Sequence, residues 1–161
     1  MSLNDLLPDP DKPSGHCPPF VLWPRQWEAY NLSDLLNWEI HPFKREQIDE
    51  IPRDPGIYSF VIQPGIANHP YSSYLMYVGM TERPLRERFR EYFSEKYNTT
   101  DGRPKIVKLL NVYQDYLHFC CLKIAETERI KEIEDELLNA FIPPCNDQYP
   151  AEINRIMKAF P

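Results

Sequence analysis

The spacing of apolar residues switches between strand-like and helix-like along this chain. Residues 57–62 are apolar or aromatic except for Ser59, and are bounded by Pro55-Gly56 and Pro64-Gly65. That pattern predicts a strand with Tyr58, Phe60 and Ile62 on one face. Residues 74–79 predict a second strand, with Leu75, Tyr77 and Gly79 sharing a face. The polar loop 64–73 joins the two, which makes them most simply an antiparallel pair. Leu85, Phe89, Tyr92 and Phe93 then recur at helical spacing behind Pro84, a residue suited to a first turn, with Thr81 available as N-cap. Ile106, Leu109, Leu110 and Tyr113 predict a helix from Pro104 to Tyr116, and Leu117 to Ile124 a third strand. Ile130, Ile133, Leu137, Leu138 and Phe141 predict a helix capped by Thr127, and Ile153, Ile156 and Met157 a short terminal helix within 149–160.

Upstream of these elements the pattern changes. Met1 to Pro19 is rich in Pro and Asp and predicts a flexible tail. Residues 20–38 hold all three tryptophans, Trp23, Trp27 and Trp38. Trp27, Tyr30 and Asn31 predict a short helix after Pro24, and Ser33 a capped turn through Leu35, Leu36 and Trp38. This segment either packs on the core or presents a partner surface or a platform for bases, packing being the simpler. Phe43 to Ile51 reads as a polar connector. The sum is an α/β (α+β) chain: a small three-stranded antiparallel sheet flanked by helices over 51–161, behind a partly helical aromatic extension over 1–50.

Composition allows a real core, since 42% of the 161 residues are hydrophobic and 13% aromatic. No apolar run reaches membrane-spanning length and no basic-then-apolar leader is visible, so a cytoplasmic protein with no membrane partner is expected. Cys17, Cys120, Cys121 and Cys145 show no CxxC spacing. Adjacent Cys120 and Cys121 face opposite ways in a strand and are expected to be reduced, and His16 beside Cys17 does not make a metal site. A net charge of −6 counts against indiscriminate nucleic-acid binding. Yet residues 51–105 carry eight basic against six acidic side chains, the only net-positive third of the chain.

Two charged residues border apolar stripes. Arg88 lies three after Leu85 and four before Tyr92, so it needs an anion, either a structural carboxylate or a bound phosphate, unless it snorkels to water. Arg86 and Arg90 point elsewhere, into solvent. Glu134 lies four after Ile130 and four before Leu138, where a carboxylate is costly unless it meets a cation or a metal. Arg83, Lys105 and Lys108 are either solvated or in contact with a nucleic-acid backbone. The exposed 64–73 loop, with Asn68 and His69, is a candidate for choosing substrates. These residue types suit phosphodiester hydrolysis, which needs an activated water, a sink for charge on the phosphate and help for the leaving oxygen. Glu134 fits Mg²⁺, a hard ion that accepts one carboxylate plus waters and phosphate oxygens, and Arg88 offers fixed charge and directional donors.

Gly56-Ile57-Tyr58, then Tyr77-Val78-Gly79, then Arg88 in an amphipathic helix resembles the GIY-YIG nuclease superfamily. Downstream, Glu134, Leu137-Leu138, Pro143 and Asn146 match the family's spacing of a glutamate-bearing helix, a proline and an asparagine. The resemblance covers residues 54 to 147. It implies an Mg²⁺-dependent endonuclease, with Mn²⁺ able to substitute, acting on DNA or alternatively on RNA. Tyr58 would contact the attacking water and serve as general base, Tyr77 would orient the nucleophile or a phosphate oxygen, and Arg88 would stabilise the transition state. Glu134 would bind the metal and Asn146 would hold the local hydrogen bonds. Tyr92 stands where some members carry histidine and others tyrosine, which favours Tyr58 as proton acceptor. A phenol with a pKa of about 10 would need the metal or Arg88 to lower it. The rival expectation is a non-catalytic nucleic-acid- or protein-binding module that keeps the fold. The N-terminal aromatic segment would then serve a homodimer or another partner.

Overall fold

A computed structural model describes residues 1–32 and 36–159. The chain is a mixed α/β protein built on a four-stranded antiparallel sheet of order β1-β4-β2-β3. The strands are β1 (Glu39–Pro42), β2 (Gly56–Ile62), β3 (Tyr74–Thr81) and β4 (Leu117–Lys123). The helices are α1 (Leu3–Leu6), α2 (Pro24–Glu28), α3 (Leu85–Glu95), α4 (Pro104–Val112), α5 (Thr127–Phe141) and α6 (Ala151–Met157). The three expected strands are β2, β3 and β4. The fourth, β1, corrects the three-strand expectation: Glu39 to Pro42 pair with Cys121 to His118 of β4. The turn expected at Ser33 to Leu35 lies outside the described residues.

β2 is central, hydrogen-bonded on both sides, and only Val61 in it is more than marginally exposed. Its alternation sorts the core into two layers. Tyr58, Phe60 and Ile62 join Tyr77, Phe119 and Cys121 on one face, covered by Leu85, Phe89 and Tyr92 of α3 and Ile106, Leu109 and Leu110 of α4. Ile57, Val78 and Leu122 occupy the other face, under Ile130, Ile133, Leu137 and Leu138 of α5. A register shift between Phe60 and Val61 moves Leu75 to the α5 side, so it does not share a face with Tyr77 as strict alternation predicts.

Helix starts use backbone more than side chains. Thr81 does not cap α3; its hydroxyl exchanges hydrogen bonds with the Arg83 backbone at 3.1 Å. The N–H groups of Leu85 and Arg86 donate instead to the carbonyls of Asp54 and Pro52 at 2.9 Å. Arg86 is not solvated as expected. Its guanidinium donates to the carbonyls of Ile51 (2.9 Å) and Asp49 (2.7 Å), tying the residues before β2 to α3. The connector 43–51 is equally anchored, because Ile51 is fully buried and Phe43 stacks on Phe93 with ring centroids 4.3 Å apart. α5 ends at Ile142, held at φ 45° in the left-handed region, with its N–H bonded to the Leu138 carbonyl. The chain turns there and Pro143 blocks further helix, so residues 143–146 run beside β3.

α2 packs on α5, and Tyr30, Leu32 and Leu36 lie against the α5-side core. Trp27 and Trp38 stay partly exposed beside a groove of about 620 Å³ that Leu75, Val78, Leu137 and Phe141 also line. No helix among the described residues is long and apolar enough to cross a membrane.

Candidate functional site

The expected residues Tyr58, Tyr77, Arg88 and Tyr92 meet on the α3 face of the sheet. β2 and β3 present Tyr58 and Tyr77 on the same face, and their rings lie 6.2 Å apart. One turn of α3 separates Arg88 from Tyr92. Arg88 Nε donates to the Tyr58 hydroxyl at 3.0 Å, Arg88 Nη2 to the Tyr92 hydroxyl at 3.1 Å, and the two hydroxyls are 2.9 Å apart. Gly79 makes room for this: a Cβ there would stand 2.7 Å from the Tyr58 hydroxyl oxygen and 2.8 Å from the Tyr77 ring.

A second guanidinium, which sequence reasoning missed, completes the cluster. Arg103, immediately before α4, donates Nη1–H to the Tyr77 hydroxyl at 2.8 Å and Nη2–H to the Tyr92 hydroxyl at 3.2 Å. Both arginines also hold carboxylates. Arg88 Nη1 bonds Glu91 at 2.8 Å, and Arg103 bonds Glu95 at 2.7 and 2.9 Å. Arg83 grips Glu91 from outside at 2.7 and 3.1 Å. The only linear hint of Arg103 was a basic residue directly preceding a proline-started helix.

The donors can be counted. Tyr92 oxygen receives N–H groups from both guanidinia, so its own proton goes to Tyr58. Tyr58 oxygen then accepts from Tyr92 and from Arg88, and its own proton has no acceptor in this network. Burial raises all three phenols well above their ordinary range, helped by the neighbouring phenol oxygens and opposed by the guanidinia. They are therefore neutral near pH 7. The lowering of Tyr58 that a resting general base needs is not what this environment produces. Arg88 is held above its usual value: burial pulls it down, but Tyr58, Tyr92 and Glu91 outweigh that. Glu91 is held below the usual carboxylate range by its bonds to Arg83, with Arg88 adding to this.

Asn146 sits at the edge of β3 rather than among the tyrosines. Its Oδ1 accepts from the Val78 N–H at 3.1 Å and its Nδ2 donates to the Val78 carbonyl at 2.8 Å, so the amide replaces a neighbouring strand between Tyr77 and Gly79. Cys145 N–H adds a bond to the Met76 carbonyl at 2.8 Å. Lys105 donates to the Asn146 carbonyl at 3.2 Å and pairs with Asp147 at 3.3 Å, while Lys108 reaches the Gly15 carbonyl at 2.6 Å. Both lysines line a groove of about 530 Å³ between the N-terminal segment and α6.

Glu134 is not joined to this cluster. α5 covers the opposite face of the sheet, and the Glu134 carboxylate makes its hydrogen-bonded ion pair with Lys131 at 3.0 Å. Burial raises its pKa, with Lys131 opposing. As a ligand it would offer one hard oxygen donor with 13% of its side chain exposed, and Lys131 already holds that carboxylate.

No family model, curated protein or solved structure matches this chain.

Proposed function

We propose that this chain is a metal-dependent endonuclease of GIY-YIG type that hydrolyses phosphodiester bonds in DNA, its core being β2, β3, β4 and the helices around them. The observation that carries this reading is the Arg88–Tyr58–Tyr92 cluster, in which one guanidinium donates to two tyrosine hydroxyls 2.9 Å apart. A phosphodiester is a diffuse anion, and Arg88 and Arg103 provide two cations fixed on one hydroxyl. Glu91 and Glu95 occupy their outer N–H groups in the resting state, and a phosphate takes those places. Tyr58 aims and holds the attacking water. Because it rests as a neutral phenol, it gains a proton-accepting role only when substrate and cation change its surroundings.

Asn146 holds the outer edge of β3 at Val78, next to Tyr77. Glu134, on the α5 side of the sheet, would hold Mg²⁺, or Mn²⁺ in its place, and the ion would supply Lewis acidity and a more acidic water. Arg83, Lys105 and Lys108 contribute backbone contacts.

Two observations favour a second reading, a non-catalytic binding module. Both guanidinia are already neutralised by glutamates, and Tyr58 and Tyr92 are at most 1% exposed. The test is incubation of supercoiled plasmid, linear duplex and RNA with Mg²⁺ or Mn²⁺. Wild-type cleavage is expected, falling about 10²–10³-fold in Arg88→Ala and strongly in Glu134→Ala. Binding without cleavage under either metal selects the module, and cleavage that persists in both variants rejects the site.

A further inference from the structure

A group of chemically different side chains lies at the other margin of the same sheet. Glu39 of β1 is the direct cross-strand partner of Cys121 of β4. His41, two residues further along β1, points to the same face. Residues i and i+2 of one strand, with the cross-strand partner of i, bring three side chains to one point. Here the carboxylate, the imidazole nitrogen and the thiol sulfur all lie within 4.8 Å of one another, the only such trio among the described residues.

We propose that Glu39, His41 and Cys121 bind a zinc-class divalent transition metal at the β1 margin of the sheet, leaving one coordination position for water. Ligand atoms around a tetrahedral Zn²⁺ stand roughly 3.3–3.8 Å apart, so the trio needs only a small closure. His41 Nε2 is already 3.3 Å from Glu39 Oε2. The other oxygen, Oε1, faces Lys123 at 3.8 Å, so one carboxylate oxygen is available to a metal while its twin keeps the ammonium. The mixed sulfur, nitrogen and oxygen set suits Zn²⁺ or Co²⁺ and disfavours Mg²⁺, which takes oxygen donors.

Charge and protons balance. The Cys121 thiol releases its proton to solvent as the sulfur–metal bond forms. His41 binds neutral through Nε2, its ring proton on Nδ1. One thiolate and one carboxylate then neutralise the dication. Access is from the sheet margin, since the Glu39 and His41 side chains are 39% and 15% exposed while Cys121 forms the floor. Bound there, the metal staples the short strand β1 to β4. This role is independent of phosphodiester cleavage.

The test is a Co²⁺ titration of the reduced, metal-free full chain, read by electronic absorption, with Zn²⁺ as competitor. One equivalent of Co²⁺ is expected to give tetrahedral ligand-field bands and a near-ultraviolet thiolate-to-cobalt charge-transfer band, both abolished by Zn²⁺. The charge-transfer band disappears in Cys121→Ser. His41→Gln, a change at a partly exposed position, lowers Co²⁺ affinity at least about tenfold with an unaltered far-ultraviolet circular dichroism spectrum. A wild type without the charge-transfer band overturns the site. So does a band that survives in Cys121→Ser, or a His41→Gln variant that binds Co²⁺ as the wild type does.

Discussion

Gly79 on β3 lies directly beneath the Tyr58 phenol, and a Cβ on this residue would approach the Tyr58 hydroxyl oxygen to 2.7 Å. The absent side chain is what lets a strand tyrosine reach across its neighbour to Arg88.

Gly79→Ala should therefore shift the Tyr58 ring and break its bond to Arg88. Overpacking of this kind costs about 1–3 kcal/mol, visible as a lower thermal midpoint. If the cluster performs cleavage, the residual activity of the folded variant should fall further than its stability does.

Burial holds Tyr58, Tyr77 and Tyr92 protonated beyond the ordinary phenol pKa of 10.0, so the folded chain binds more protons than the unfolded chain above that point. Stability from these groups is complete below pH 10.0 and declines as pH rises past it. An alkaline absorbance titration should show at least three of the ten tyrosines ionising late, together with unfolding. Tyr92→Phe should remove one late tyrosine and cost about 2 kcal/mol, because two guanidinium donors lose their shared acceptor.

Asn146→Ala should expose the Val78 amide, whose partner is the side-chain oxygen Asn146 Oδ1. Hydrogen exchange at Val78 should accelerate strongly, with a loss of about 1–3 kcal/mol for the polar groups left unpaired. Asn146→Asp should do no better, because a carboxylate oxygen would face the Val78 carbonyl.

Glu95→Gln should loosen Arg103 and strengthen binding of a DNA duplex about fivefold at low salt, with a steeper salt dependence. Arg103→Ala should weaken the same binding. A fluorescence-anisotropy salt series distinguishes the two, and equal affinities would mean that Arg103 does not face the nucleic acid.

Strands β2, β3 and β4 and the long helices were legible because each carries an apolar face that one layer of core demands. Thr81 and Thr127 looked like caps, but tertiary backbone groups and the preceding Glu126 took those positions. β1 was hidden because Glu39-Ile40-His41-Pro42 is short and ends in proline, and only pairing with β4 makes it a strand. The register shift near Met76 cannot be read from alternation, since it arises from pairing with β2. Arg88 was legible from its distance to Leu85 and Tyr92. Arg103 and Glu95 were not, because their meeting with the tyrosines depends on how the 96–102 turn returns the chain to the sheet.

The Asn146 clasp has a consequence for self-association. Together with the Cys145–Met76 bond it occupies outward-facing backbone groups of β3 at both Met76 and Val78. The opposite margin ends in the short β1, terminated by Pro42. The β3 flank is thus occupied at these residues and the β1 flank is only four residues long, so copies of this chain are disfavoured from polymerising edge to edge into a continuous ribbon.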